Sequence, residues 1–174
     1  MFEFADAVDL ANVDPAVYPN VAAYANGRFA APADQLARFK RHKLIAVEPN
    51  NPGQAAIART LDVERFDATI FDAQPFINER YNHDRDDAEI YIEISSVPAL
   101  LVATGAETRD WYVWIAWWWL QGVPPTGADV LNELREVYKT ELPANVHLSA
   151  CQWENTPTFD KSVSYRKNTF TRER

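Results

Sequence analysis

The sequence contains very little cysteine and glycine. Among its 174 residues there are one Cys and five Gly. The single cysteine, Cys151, excludes an intrachain disulfide framework, so the core must hold the fold, and its apolar neighbours predict a buried side chain. The glycines form neither G-x-G-x-x-G nor G-x-x-x-x-G-K, and no G-x-S-x-G elbow occurs. We therefore expect no dinucleotide, ATP or other cofactor and no serine hydrolase.

Positive charge is also in short supply. The chain has 17 Lys and Arg against 25 Asp and Glu, a formal net charge of -8. Because nucleic-acid binding depends on clustered Lys and Arg that displace counterions, we expect no nucleic-acid partner. No apolar stretch approaches the roughly 20 residues of a membrane span. The N-terminal residues, Met1 to Asp6, are acidic where a signal peptide is basic, so we expect none.

Histidine is scarce too, and its three positions suggest no metal site. His42, His83 and His147 fall in different kinds of predicted element and lack the spacing of metal ligands. We therefore expect no bound metal.

What is present is an alternation of apolar strands and helices. Strands are predicted over residues 21–25, 44–47, 60–64, 89–94, 111–117 and 146–152. Helices are predicted over residues 32–43, 54–58, 72–81, 96–102 and 128–142, with Asp72 as the N-cap of the third. Such alternation favours mainly parallel strands joined by right-handed crossovers.

This pattern predicts one α/β domain over residues 1–174. Residues 1–19 are expected to be an extended N-terminal segment, and residues 156–174 a polar tail. A closed (β/α) barrel usually needs about 250 residues. The chain is shorter, so we expect a small or incomplete TIM-like barrel, with an open doubly wound sheet as the alternative.

Two acids stand out in the third predicted strand. Asp62 and Glu64 are two residues apart, so both side chains point to the same side of the strand. At the C-terminal end of a parallel strand such a pair can divide acid and base roles, as glycosidic bond cleavage requires. Alternatively, both acids bind loop amides. Glu48 and Glu93 either join this rim or remain ordinary solvated carboxylates.

Tryptophan is concentrated in one short segment. Five of the six fall between Trp111 and Trp119. Trp111, Trp114 and Trp118 cannot share one strand face, so some must be core residues. The others are available to stack on sugar rings or to anchor a protein interface.

Taken in order, several short segments resemble the family 25 glycoside hydrolases, particularly the small barrel domains of that type in bacteriophages of actinobacteria. The segments are residues 23–27, 61–64, 90–92, 114–116 and 150–153, followed by Asp160. The resemblance implies Glu64 as proton donor, Asp62 as supporting carboxylate, and peptidoglycan glycan as substrate. The expected substrate-binding residues are Asn26, Tyr24, Tyr91, Glu93, Trp114, Trp118, Gln152 and Trp153.

Two departures from that family pattern suggest weakened chemistry. Relatives commonly carry an Asp at the end of the first strand, where Asn26 stands here. Relatives often carry a polar residue after the Trp-Ile-Ala segment, which is residues 114–116 here. In this chain residues 117–119, which follow that segment, are all Trp. Loss of one acid could abolish turnover while leaving a sugar-binding groove.

The resemblance and these departures together predict a phage virion component. It would be made in the host cytoplasm, reside in the tail with other virion proteins, and contact cell-wall glycan with weak or lost hydrolysis. It would act as a homo-oligomer or part of an assembly. The alternatives are an active muramidase that uses Glu64 and Asp62, and a purely structural protein whose tryptophans fill an interface.

Overall fold

The computed structural model describes residues 1–48, 54–118 and 122–166. The strands are β1 (Phe2–Asp6), β2 (Asn20–Tyr24), β3 (Arg41–Ala46), β4 (Thr60–Val63), β5 (Glu89–Glu93), β6 (Trp111–Ala116), β7 (Val146–Asn155) and β8 (Asp160–Ser164). The helices are α1 (Ala33–Leu36), α2 (Gln54–Ile57), α3 (Ile70–Asn82), α4 (Val97–Ala103) and α5 (Gly127–Glu136). Short 3₁₀ turns lie at Leu10–Asn12, Gly27–Phe29 and Ile94–Ser96.

The eight strands form one closed barrel in chain order. Each pairing from β1 to β7 is parallel. β8 is antiparallel to both β7 and β1 and closes the barrel between them. Since antiparallel neighbours need only a hairpin, β8 requires no crossover helix. This hairpin and the four-residue helices α1 and α2 explain how so short a chain closes eight strands.

The predicted barrel is therefore confirmed, but its details differ from the expectation. The sequence predicts six strands in a small or incomplete barrel, whereas the described residues form eight strands in a closed, mixed one. The two additional strands are β1, within the expected extended segment, and β8, within the expected tail. On β8, Ser162 and Ser164 are fully buried. Polar residues that face a barrel interior hide the apolar alternation by which strands are recognised. Residues 167–174 of the expected tail lie outside the described residues.

Three helix ends differ from prediction by two residues or more. α1 ends at Leu36 rather than at residue 43, because residues 41–43 already belong to β3.

The ends of α3 and α5 differ as well. α3 begins at Ile70 rather than near Asp72, because Asp72 is the third helical residue and accepts a hydrogen bond from the N–H of Thr69 (2.8 Å). α5 ends at Glu136 instead of continuing to residue 142. Beyond it the backbone of Lys139 is left-handed, with φ of 51°. That conformation cannot continue a right-handed helix.

The two sides of the strands pack into different clusters. Ile90 and Ile92 of β5 lie in the outer core, which also contains Phe76 of α3 and Leu100 of α4. Tyr91, between the two isoleucines, belongs to a second cluster inside the barrel. This separation confirms the alternation predicted for the strand.

Side chains fill the barrel interior. Phe4 and Trp114 are fully buried there, with ring centroids 5.3 Å apart. Beside them Lys43 forms a buried ion pair with Glu89 (2.8 Å), and its ammonium lies 3.7 Å from the centroid of the Trp114 ring. This part of the barrel interior is therefore a packed layer of side chains.

Candidate active site

β4 carries Asp62 to the end of the barrel where the parallel strands finish, and Glu64 follows directly after its last residue, Val63, although the prediction places Glu64 within the strand. Val63, between them, packs in the outer core, so both acids face the interior side. Asp62, Glu64 and Asp67 offer carboxylate oxygens that all lie within 4.8 Å of one another. Asp62 is buried, whereas Glu64 is exposed to a cleft that it lines. The pair thus has one enclosed and one accessible carboxyl group.

Asp62 is held in an environment that favours its neutral form. The Tyr24 hydroxyl donates a hydrogen bond to its Oδ2 (3.2 Å). Its Oδ1 is buried and has no hydrogen-bond partner among the described residues. Burial raises the pKa of Asp62 well above its usual value, and the negative charges of Glu64 and Asp6 raise it further. Asp62 therefore retains a proton far more readily than an exposed aspartate.

The pKa of Glu64 is also raised, although the effects that act on it have opposite signs. Partial burial raises it, a hydrogen bond with the Tyr91 hydroxyl lowers it, and the charges of Asp67 and Glu93 raise it. The net shift is upward. An accessible carboxyl group with a raised pKa has the property required of a general acid.

Two further acids lie at this end of the barrel, where β8 begins opposite the end of β1. Asp6 pairs with Asp160 in the antiparallel register. Burial and then the charge of Asp160 raise the pKa of Asp6 to about 8, although Lys43 lowers it. Burial and then the charge of Glu64 raise the pKa of Asp160 to about 6. Four carboxyl groups thus share one poorly solvated region.

A chain of hydrogen bonds links the two sides of this region. The Tyr91 hydroxyl donates to Oε1 of Gln152 (2.7 Å), and Nε2 of Gln152 donates to Oδ2 of Asp160 (2.8 Å). Because Tyr91 has a single hydroxyl proton, it can donate either to Gln152 or to an ionised Glu64. When Glu64 is protonated, it can itself donate to Tyr91. The network therefore accommodates both protonation states of Glu64.

The cleft above these acids has a volume of about 460 Å³. One wall is the β7–β8 hairpin, residues 155–159. The site residues that line it are Asp6, Tyr24, Glu64, Tyr91, Trp118, Gln152 and Asp160. The Trp118 side chain is 49% exposed, so it contributes an aromatic face and leaves the cleft open. Trp119 lies outside the described residues.

Three other expected binding residues lie elsewhere. Trp114 is fully buried in the barrel interior, and Trp153 is buried in the outer core. Glu93 is exposed and lines a neighbouring cavity that Glu64 also lines. None of the three lines the acid cleft.

Asn26 follows the strand predicted over residues 21–25, but that strand is the second of the barrel and not the first. It follows β2, and the first strand ends at Asp6. Its Oδ1 accepts a hydrogen bond from the N–H of Val47 (2.9 Å), and its Nδ2 donates to the carbonyl oxygen of Glu48 (3.4 Å). Asn26 therefore ties the loop after β2 to the loop after β3. It does not replace an acid of the cleft.

Asp6 is the cleft residue that sequence reasoning misses. The available signal is weak: in Phe2-Glu3-Phe4-Ala5-Asp6 the aromatic residues alternate with others and an acid ends the run. β4 ends in the same way, with Asp62 at its last inward position. Recognising residues 2–6 as a parallel strand places Asp6 at the same end of the barrel as Asp62.

The remaining candidates for chemistry are a group of carboxylates that could bind a metal ion and the thiol of Cys151. Asp62, Glu64 and Asp67 are the described residues whose oxygens could hold a hard cation such as Mg²⁺ or Ca²⁺. Cys151 is fully buried, as predicted, and burial raises its pKa to about 12. A thiol in that state is not a nucleophile.

Comparisons with protein-family models, curated proteins and solved structures found no match. Within the described ranges, no helix has both the length and the apolar character needed to cross a membrane. Function must therefore be inferred from the carboxyl cluster and its cleft.

Proposed function

We propose that this barrel binds the glycan strand of a bacterial cell wall in the acid cleft and hydrolyses a glycosidic bond, with Glu64 as the general acid. The observation that carries the proposal is the Asp62 and Glu64 pair, whose oxygens lie within 4.8 Å of each other. One member is buried and the other lines an open cleft. The resemblance to family 25 glycoside hydrolases agrees with these roles.

The four acids divide the work by their positions. Glu64 reaches the cleft and has a raised pKa, so it protonates the leaving oxygen as the glycosidic bond breaks. A water molecule then bonds to the anomeric carbon, and the proton it releases restores the carboxyl group of Glu64. Asp62 does not line the cleft, so it supports Glu64 as a neighbouring proton store. Asp160 lines the cleft and has a pKa of about 6, so at neutral pH it is ionised and stabilises the positive charge that develops on the sugar. Asp6 also lines the cleft, but with a pKa of about 8 it is a neutral acid at that pH.

Retained hydrolysis is favoured over lost hydrolysis by the position of Asp6. The expectation of lost turnover depends on Asn26 standing where relatives have an acid at the end of the first strand. The first strand ends at Asp6, so this position carries a carboxyl group. Trp118 leaves a cleft of about 460 Å³. Both observations support an active glycosidase.

The test is the release of new reducing ends from purified peptidoglycan. We expect the wild-type protein to produce them at mildly acidic to neutral pH, and Glu64→Gln to lose at least about 100-fold in rate, the usual contribution of a general acid. Glu136→Gln, an exposed acid on α5, should keep full activity. If wild-type protein releases none, or Glu64→Gln matches it, hydrolysis through Glu64 is refuted.

The second candidate is a phage tail component that binds wall glycan without cleaving it. It is favoured by the half-exposed Trp118 at the cleft, since aromatic faces stack on sugar rings. Its virion setting and virion partners follow from the family resemblance alone. Co-sedimentation with insoluble peptidoglycan or arabinogalactan, without new reducing ends, would support this candidate over the first.

A further inference from the structure

The acid pair has a third acidic neighbour that the proposed hydrolysis does not use. Asp67 lies in the turn after β4, and one carboxylate oxygen from each of Asp62, Glu64 and Asp67 lies within 4.8 Å of the other two. Asp62 is buried, whereas Glu64 and Asp67 are exposed. Three carboxylates so placed repel one another, and a shared cation relieves that repulsion.

The turn after β4 brings Asp67 back to the pair. The N–H of Asp67 donates to the carbonyl oxygen of Glu64 (3.2 Å), and the N–H of Ala68 donates to that of Asp62 (3.1 Å). Phe66, inside the turn, has a left-handed backbone with φ of 79°. This conformation reverses the chain direction, so Asp67 lies beside the end of β4 rather than beyond it.

An unsatisfied oxygen of Asp62 is a separate indication of a ligand. Its Oδ2 accepts a hydrogen bond from the Tyr24 hydroxyl (3.2 Å), but its Oδ1 is buried and has no hydrogen-bond partner among the described residues. The whole side chain is only 1% exposed, so solvent does not compensate. An unpaired carboxylate oxygen in the interior is costly, and a bound ion is one way of satisfying it.

The three acids form no ion pair within the described parts of the chain. Arg65 follows Glu64 directly, but its guanidinium carbon lies 4.7 Å from the centroid of the Phe66 ring. Burial raises the pKa of Asp67, and the charge of Arg28 lowers it by less. A cation from solution therefore meets little competition from the side chains of the protein.

The type of ligand and its spacing select the cation. All three donors are carboxylate oxygens, and no histidine or cysteine among the described residues joins them, so a hard cation is favoured over a transition metal. Oxygens that share one Ca²⁺ at about 2.4 Å lie at most about 4.8 Å apart, whereas Mg²⁺ at about 2.1 Å requires about 4.2 Å or less. The observed limit of 4.8 Å therefore suits Ca²⁺, which also tolerates irregular geometry.

Space for the ion and its water lies beside the two exposed acids. Glu64 and Asp67 line a cavity of about 550 Å³ together with Thr69, Glu93 and Ser96. Since Ca²⁺ takes roughly six to eight oxygen ligands, about three or more positions remain for water or for these neighbouring oxygens. The exposed Glu93 adds negative charge at the entrance.

We propose that Asp62, Glu64 and Asp67 form a Ca²⁺ site, and that bound Ca²⁺ inhibits hydrolysis by engaging the carboxylate of Glu64. A carboxylate held by Ca²⁺ has no proton to give to the leaving oxygen. The inhibition rests on the proposed function, whereas binding of the ion does not. With three protein ligands the site belongs to the weak class, with a dissociation constant of about 10⁻⁴ to 10⁻³ M.

Terbium luminescence measures ion binding without reference to hydrolysis. Tb³⁺ occupies oxygen-ligand Ca²⁺ sites and emits when a nearby excited tyrosine transfers energy to it, and the Tyr24 hydroxyl lies 3.2 Å from Oδ2 of Asp62. We expect emission that saturates at one Tb³⁺ per chain. Ca²⁺ should displace the Tb³⁺ at lower concentrations than Mg²⁺ does.

Two variants remove one ligand charge each. Asp62→Asn and Asp67→Asn should each weaken the binding of Ca²⁺ by at least about tenfold, because affinity at such sites depends on the number of charged ligands. Asp67 is exposed, so Asp67→Asn should not lower the melting temperature measured without added ions. The control combines Asp84→Asn with Asp86→Asn, two exposed acids of another acidic loop, and should bind Tb³⁺ as the wild-type protein does.

Release of reducing ends from purified peptidoglycan tests the inhibition. At about ten times its dissociation constant, Ca²⁺ should lower the wild-type rate about tenfold relative to EDTA, because few chains remain without an ion. At the same Ca²⁺ concentration the rate of Asp67→Asn should fall much less. Since both proteins meet the same substrate, this comparison excludes an effect of Ca²⁺ on the peptidoglycan itself.

The outcomes distinguish the ion site from the hydrolysis. Absence of saturable Tb³⁺ emission, or emission that Asp62→Asn and Asp67→Asn leave unchanged, overturns the site even if the wild-type protein cleaves glycan. Displacement by Mg²⁺ at lower concentrations than by Ca²⁺ overturns the choice of ion, and an undiminished rate with Ca²⁺ bound overturns the inhibition. If Ca²⁺ binds as expected but the wild-type protein cleaves nothing in EDTA, the site stands and the proposed hydrolysis fails.

Discussion

Asp6 of β1 lies directly opposite Asp160 of β8, at the pairing that closes the barrel. Two carboxyl groups so placed repel each other when both are ionised. Burial adds to this repulsion, and the pKa of Asp6 rises to about 8 while that of Asp160 rises to about 6. Closing the barrel with an antiparallel strand therefore creates a pair of acids that release their protons at different pH.

The raised pKa of Asp6 should make the fold less stable as the pH rises. The usual value for aspartate is 3.8, so between about pH 4 and pH 8 the folded protein keeps a proton that the unfolded chain releases. The contribution of this group to the free energy of unfolding is greatest below about pH 4 and decreases as the pH rises to about 8. The decrease is at most about 1.4 kcal/mol per pH unit. Asp6→Asn should reduce the slope between pH 6 and pH 8, where Asp160 has already ionised.

Thermal unfolding at a series of pH values from 4 to 8 measures this effect. Asp86→Asn, in an exposed loop, is the matched control and should keep the wild-type slope. An Asp6→Asn protein whose melting temperature falls as steeply as wild type above pH 6 would contradict the raised pKa.

The Tyr91 hydroxyl should set the upper pH limit of catalysis. Its hydrogen bond lowers the pKa of Glu64, because it stabilises the ionised form. Tyr91→Phe removes this donor, so the pKa of Glu64 rises and the alkaline limb of the pH-rate profile moves to higher pH. Oε1 of Gln152 also loses the hydrogen bond from Tyr91, so the maximum rate should fall as well.

The pH dependence of reducing-end release tests this. Tyr81→Phe is a suitable control, since the Tyr81 hydroxyl donates to the Asp110 carbonyl oxygen (2.5 Å), outside the cleft. The proposed role of Tyr91 is excluded if its Phe variant shows an unchanged alkaline limb.

The acid pair was predictable because its geometry is local. A spacing of two residues in a strand fixes a shared side whatever the rest of the fold does, and Val63 between Asp62 and Glu64 packs outward as this requires. The same reasoning correctly separates Ile90 and Ile92 from Tyr91.

The closure of the barrel was not predictable in this way. It depends on β1 meeting β8 from the other end of the chain, and β8 places Ser162 and Ser164 where apolar residues are expected. A polar barrel interior removes the alternation signal on which strand prediction depends. Without β1, Asp6 cannot be placed, and the strand that precedes Asn26 is counted as the first when it is the second.

The buried ion pair of Lys43 and Glu89 should be essential to the interior. Burial lowers the pKa of Lys43 to about 8; for Glu89, burial would raise the pKa, but Lys43 and Arg59 lower it to about 2. The pair is therefore ionised at neutral pH. Removing Lys43 leaves the buried charge of Glu89 with only the weaker influence of Arg59, so Lys43→Met should cost about 3 kcal/mol in the free energy of unfolding, the lower end of the range for breaking a buried pair.

Urea denaturation of matched variants can isolate this cost. Lys161→Met breaks an ion pair of similar length with Glu154 (2.9 Å), but that pair is partly solvated and should cost less than about 1 kcal/mol. Adding Glu89→Gln to Lys43→Met removes the stranded charge and keeps an oxygen that can accept the Thr60 hydrogen bond, so it should recover part of the loss. If the two lysine variants lose equal stability, or if Glu89→Gln recovers nothing, then packing around the Lys43 stem, and not its charge, is what stabilises the barrel interior.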